Sequence, residues 1–151
     1  MNNRLNVHMP RLAILLAGIL ISTCSSPTAS DKEGPLIRTL LGGEKVLQPG
    51  RWMIYWDGKD DAKKTVAAGA YVCFMESEND LESIDLKAVD GTKGKPADST
   101  GTGIGIWHLD TNPLHYLLEQ NFPNPFYAKD GTNISFEIPE PAHIKLTIHS
   151  K

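Results

Sequence analysis

Along this chain, apolar residues recur in short runs broken by Gly, Pro, Asn and Asp. That spacing predicts many short strands. The clearest runs lie near the end. Ile134, Phe136 and Ile138 alternate with Ser135 and Glu137, and Ile144, Leu146 and Ile148 alternate with Lys145 and Thr147. Each predicts a strand with one wet face, because successive side chains point to opposite sides of a sheet. Pro139-Glu140-Pro141-Ala142 between them predicts a short hairpin-type connection.

The block from Pro35 to Asp80 has the same character. Leu36 to Leu40 predicts a strand closed by Gly42-Gly43. Gly50 opens a second strand, Trp52 to Trp56, which Asp57-Gly58 ends in a tight turn. Gly69 opens a third. There Tyr71, Cys73 and Met75 share one face, while Val72 and Phe74 share the other, as in a strand central to a sheet. Ile84, Leu86 and Ala88 alternate with charged residues in a half-exposed strand within Leu81 to Val89. Between the blocks, "DGTKGKPADSTGTGIG" reads as a linker from Asp90 to Gly105. The expected fold is therefore all-β, an antiparallel sandwich.

The first residues read differently. Arg4 and Arg11 precede "LAILLAGILI", Leu12 to Ile21, an unbroken apolar run of about ten residues that fits the h-region of an export signal. A membrane-spanning helix needs about twenty. The run ends at "ISTC", and Cys24 follows small polar residues. This resembles a bacterial lipoprotein signal, in which residues 1–23 are removed and Cys24 is lipidated. Ile21 and Ser22 fit that pattern, while Thr23 stands where Gly or Ala is usual. The competing reading is an ordinary signal peptide cut near Ala29, leaving a soluble secreted protein. Residues 24–34 would form a polar tether, and 35–151 the folded domain.

Composition adds limits. The chain has 151 residues, 40% of them hydrophobic, and a formal charge of -3. That length suits one domain. The charge and the lack of a basic stripe give a nucleic-acid partner no electrostatic support. Cys73 is the only cysteine besides Cys24 and lies in an apolar run, so with Cys24 lipidated a buried inert thiol is expected.

Several clusters invite chemistry. Asp57, Asp60 and Asp61 lie close together, but Ca²⁺ takes about six to eight oxygen ligands. Their expected role is a hydrogen-bonded turn, with Asp57 and Gly58 setting the backbone and Asp60 capping the loop. His108, His115, His143 and His149 lack metal spacing, and His143 and His149 are expected at the surface. Gly101, Gly103 and Gly105 match a dinucleotide loop only weakly. Ser99, His108 and Asp110 could be imagined as a triad, but no nucleophile elbow accompanies them. No catalytic residue, metal or cofactor is nominated. Trp52 and Trp56 share a strand face. Trp56 is expected in the core, and Trp52 could offer a stacking platform for a sugar. Trp107 carries no assignment.

Both blocks also resemble one family. "LLEQNFPNPF" followed by "TNISFEIPEPAHIKLTIHS" is similar to the opening half of an Ig-like domain found in exported bacterial proteins. It occurs in the flagellar hook-capping protein FlgD and in C-terminal sorting domains of type IX secretion cargo. The closing half of that domain resembles the first block: Arg38-Thr39-Leu40, Pro49-Gly50, Trp56-Asp57-Gly58-Lys59-Asp60, then Gly69 and Tyr71. The resemblance covers roughly half of the chain. It implies structural roles for Trp56, Asp57, Gly58, Asp60, Gly69, Tyr71, Asn124, Pro125 and Phe126. Phe122 and Phe126 would anchor the QNFPNPF segment on the rim of the core.

The order departs from the family, since residues 35–89 carry the closing half and 115–151 the opening half. A circularly permuted sandwich bridged by residues 90–105 would close one core in a single chain. Strand exchange between chains and a truncated pair of domains are the other arrangements. The resemblance implies a non-catalytic structural, adhesive or assembly role at the cell envelope, at the outer membrane or cell surface. Its partners would be the membrane, through the lipid, and an envelope protein or glycan. A type IX sorting module and a carbohydrate-binding module are the alternatives.

Overall fold

The computed structural model describes residues 34–94 and 105–151. The apolar leader, Cys24, most of the tether, Ser99, Gly101 and Gly103 lie outside the described residues. Among the described residues there are nine strands: β1 Leu36–Leu47, β2 Gly50–Trp56, β3 Gly69–Glu76, β4 Leu81–Val89, β5 Gly105–Leu109, β6 Leu117–Leu118, β7 Phe126–Tyr127, β8 Thr132–Ile138 and β9 Ala142–Ser150. They form two sheets, ordered β1-β9-β3-β4-β7 and β5-β2-β8-β6. Neighbours are antiparallel except β4 and β7. The fold is the all-β sandwich that the alternation predicts.

The two sequence blocks interleave. β9, from the last block, lies between β1 and β3 of the first, and β8 pairs with β2. One chain thus closes one core. The Ser150 N–H donates to the Pro35 carbonyl at 3.1 Å, where β9 finishes beside the start of β1.

Period-two patterning explains the core. Ile54 and Trp56 from β2 and Ile134, Phe136 and Ile138 from β8 line one sheet. Cys73, Met75, Leu86, Ala88, Ile144, Leu146 and Ile148 line the other. Burying each large aliphatic or aromatic side chain contributes about 1.5–3 kcal/mol. Tyr71 donates its hydroxyl hydrogen to the Ala67 carbonyl at 2.8 Å, a corner device shared by Ig-like sandwiches.

Three local expectations are corrected. β1 does not stop at Gly42-Gly43. Its pairing with β9 shifts register there and resumes at Val46 opposite His143, and Gly43 absorbs the irregularity at φ +83°. Pro139–Ala142 is not a hairpin, because β8 and β9 belong to different sheets. Its two prolines lack the N–H a ladder needs, and the chain turns a corner between layers. His149 is buried, since β9 is a central strand; its Nδ1 lies 3.2 Å from the Gly34 carbonyl. A strand left unassigned by the sequence, β5, begins at the linker's last residue, Gly105, and runs in continuous register along β2.

Candidate interaction surface

β2 sorts its side chains by alternation. Trp52, Ile54 and Trp56 face inward, and Arg51, Met53 and Tyr55 face outward. Trp56 is fully buried, with ring centroids 6.1 Å from Tyr71 and 5.3 Å from Phe126. Its Nε1 donates to the Lys59 carbonyl at 2.9 Å, which satisfies the polar edge of a buried indole.

Trp52 is not an open platform. Its half-buried ring stacks on His108 with centroids 4.2 Å apart, and its Nε1 donates to the Gln48 carbonyl at 3.0 Å. His108 Nε2 lies 3.0 Å from the Pro49 carbonyl. The pair ties the turn before β2 to β5.

The three aspartates do not converge on a cation. Asp57 accepts from the Lys59 N–H at 3.2 Å, and Asp60 accepts from the Lys64 N–H at 2.8 Å. Asp61 accepts from the Thr39 N–H at 3.3 Å and lies 3.7 Å from Arg38 Nε. Among the described residues no group of His, Cys, Asp and Glu is placed to hold a metal ion. Gly58 has φ +67°, and a Cβ there would collide with the Ala128 carbonyl. Glycine is required at that point of the turn.

In the QNFPNPF segment the two phenylalanines part company. Phe126 is fully buried against Trp56, whereas Phe122 is 77% exposed. The expectation that both anchor the segment fails for Phe122. The asparagines hold the segment instead. Asn121 is buried, and its Nδ2 donates to the Pro123 carbonyl and Thr132 Oγ1, each at 3.0 Å. Asn124 Oδ1 accepts from the Lys87 N–H at 3.0 Å, and its Nδ2 donates to the Asp85 carbonyl at 3.2 Å. Its carboxamide extends the β4 ladder toward β7, and Pro125 leads directly into β7. Gly69 lies at the exposed start of β3.

Those residues build the scaffold. The surface with unspent apolar area lies on β5. Register places Trp107 opposite Met53 and Leu109 opposite Arg51. Ser135 and Glu137 follow on β8. Arg51 is ion-paired with Glu119 and lies 3.9 Å from Glu137. A shallow cavity of about 230 Å³ is bordered by Arg51, Trp52, Met53, Trp107, His108, Leu109 and Ser135. Ile106, Trp107 and Leu109 are 45%, 40% and 61% exposed, so three of the large apolar side chains left in solvent belong to one five-residue strand. Sequence reasoning passed over this strand. The alternation of "IWHL" is short and lies against a Gly-rich stretch.

Tyr55, on the same outer face, donates to the Asp130 carbonyl. Burial, then the charges of Asp57 and Asp130, hold its phenol above the ordinary tyrosine range. Asp130 is itself buried and accepts from Thr92 Oγ1 and from the Lys93 N–H at 2.6 Å. This network fixes residues 92 and 93 against the β7–β8 turn. His143 is exposed, with Nδ1 2.9 Å from the Gly43 carbonyl. Among the described residues no helix is long and apolar enough to cross a membrane. No family model, curated protein or solved structure matches this chain.

Proposed function

We propose that this chain is an exported, non-catalytic Ig-like module with a structural or assembly role at the bacterial cell envelope. In this reading its leader directs export and Cys24 carries a lipid anchor. The halves of the FlgD-type domain then stand in permuted order. The packing of Trp56 against Tyr71 and Phe126, which brings residues of both halves into one core, supports that arrangement. The observation that carries the interaction role is β5, an edge strand that leaves Ile106, Trp107 and Leu109 exposed. Exposed apolar clusters of this kind mark interaction sites.

One strain set tests the reading. The full chain is labelled with radioactive palmitate in a bacterial envelope, and Cys24→Ala is compared with it. A photo-crosslinking residue replaces Leu109 in both. Label dependent on Cys24, with crosslinks from position 109 to any protein, is the expected result. Unchanged labelling and fractionation in Cys24→Ala removes the anchor. Absence of crosslinks removes the interaction role.

A carbohydrate-binding role is favoured by one feature, the cavity beside Trp107, where an aromatic side chain adjoins Arg51 and Ser135. Stacking plus polar contacts at one side is the chemistry a sugar ring requires. Trp52 also borders that cavity, but its ring is stacked on His108, so Trp107 is the freer aromatic face. Glycans that leave tryptophan fluorescence unchanged would remove this reading.

A further inference from the structure

The four sheet edges of the sandwich are not alike. Edge strands invite pairing with other chains, and proteins blunt them with bulges, charge, proline or short length. β1 is blunted by three register shifts against β9 and by Glu44 and Lys45. β6 and β7 are two residues long, and Pro125 precedes β7. β5 has none of these devices. It runs five residues in unbroken register with β2, from Gly105 opposite Tyr55 to Leu109 opposite Arg51. Among the described residues no strand pairs with its other edge. Neither a proline nor a Lys, Arg, Asp or Glu occurs in "GIWHL".

We propose that β5 pairs with β5 of a second copy of this chain. The pairing is antiparallel about a two-fold axis through Trp107. The sequence suits a self-complementary edge. Trp107 meets Trp107 of the second copy, Ile106 meets His108, and Gly105 meets Leu109, the smallest residue opposite a long one. No carboxylate or ammonium faces its own copy, so the like-charge repulsion that opposes symmetric pairing is absent. A two-fold axis normal to the sheet keeps the faces in order. The two Trp107 rings then lie together on the outer surface beside Met53, and each Trp52–His108 stack stays on the opposite face of the sheet. The result is one continuous sheet, β6-β8-β2-β5 joined to its symmetric copy. Aromatic cross-strand pairs are among the stronger contacts of such sheets. The proposal rests on the interaction role given above and names its partner. If both copies are lipid-anchored, confinement to one surface raises their effective concentration.

The test uses the full chain expressed into a bacterial envelope. Trp107→Cys is expected to give a disulfide-linked homodimer, while Glu44→Cys on β1 gives none beyond the wild-type background. Trp107→Lys and Trp107→Glu, each purified in mild detergent, are expected to lose the dimer and keep the β-sheet spectrum of the wild type. Mixing the two charged variants should restore a heterodimer. A Trp107→Cys adduct with a different protein overturns self-pairing and leaves the interaction role standing. No dimer from Trp107→Cys, or folded charged variants that fail to recombine, also overturns it.

Discussion

Arg38 Nη1 donates to the Asp60 carbonyl at 2.7 Å, so the first strand holds the loop that follows Trp56. The Asp61 N–H returns a bond to the Ile37 carbonyl at 3.0 Å. The Arg38 side chain is only 14% exposed, whereas that of Asp61 is 56% exposed. Hydrogen bonds from a charged group contribute about 1.5–3 kcal/mol, while an exposed ion pair contributes about 0–1 kcal/mol. Arg38→Ala should therefore lower unfolding stability by about 1.5–3 kcal/mol, and Asp61→Ala by less than about 1 kcal/mol. Urea melts of both variants check the ranking. Equal losses would mean that the Asp61 carboxylate, through Arg38 and the Thr39 N–H, secures the loop as much as the carbonyl bond does.

Phe122 and Phe126 provide a contrast within one segment. Truncating Phe126 opens a cavity beside Trp56 and should cost about 3–5 kcal/mol. Phe122→Ala should stay within about 0.5 kcal/mol, as exposed substitutions do. Thermal unfolding of the two variants measures the difference. A large loss for Phe122→Ala would place that ring against the fold.

Burial holds the phenols of Tyr55 and Tyr71 above the ordinary tyrosine range, and for Tyr55 Asp57 and Asp130 add to the effect. A pKa raised in the folded state contributes stability that is present below the unfolded value. That stability is lost as pH rises through the folded value. Alkaline unfolding is thus the expected direction. Near-ultraviolet absorbance should show Tyr55, Tyr71 and Tyr116 ionising late, and Asp57→Asn should bring Tyr55 earlier while leaving Tyr71 in place. Ionisation of Tyr55 at the same pH in both proteins would deny Asp57 any influence.

Alternation revealed faces more readily than partners. Ile134, Phe136 and Ile138 announced an inward face because each second residue is apolar, and that face is buried. The same pattern could not say that β8 would pair with β2, since period two fixes which side is wet and not which strand lies alongside. Gly42-Gly43 suggested a stop because glycine usually punctuates strands, yet here it lets β1 pass an irregularity. His149 looked like a surface residue because it flanks the apolar alternation; β9 runs on through it, and Phe74 of β3 lies edge-on to its ring. Trp107 was passed over because five residues beside a Gly-rich stretch give too little periodicity to register. Local turn chemistry made Asp57, Gly58 and Asp60 legible in "WDGKD", whereas Phe126 in "NPF" was reached only through the family resemblance.

Asn121 and Asn124 differ in how their amides are used, and their loss should differ too. Asn121 is buried, and its carboxamide joins Gln120, Pro123 and Thr132 in one network. Asn121→Ala leaves the Pro123 carbonyl with only Thr132 as a side-chain donor and opens a small void, a cost of about 1–3 kcal/mol. Asn124 lies exposed, and water can replace its two bonds to β4, so Asn124→Ala should cost about 0.5–1.5 kcal/mol. Its local effect is more specific. The Lys87 N–H loses its acceptor, so amide hydrogen exchange at Lys87 should accelerate in Asn124→Ala, while the Cys73 amide, at the centre of the same sheet, keeps its wild-type protection. If Lys87 exchanges at the wild-type rate in that variant, the asparagine does not carry the ladder from β4 toward β7, and the QNFPNPF segment is held by its other contacts, among them Gln120 to the Asp85 carbonyl and the Phe122–Asn133 backbone pair.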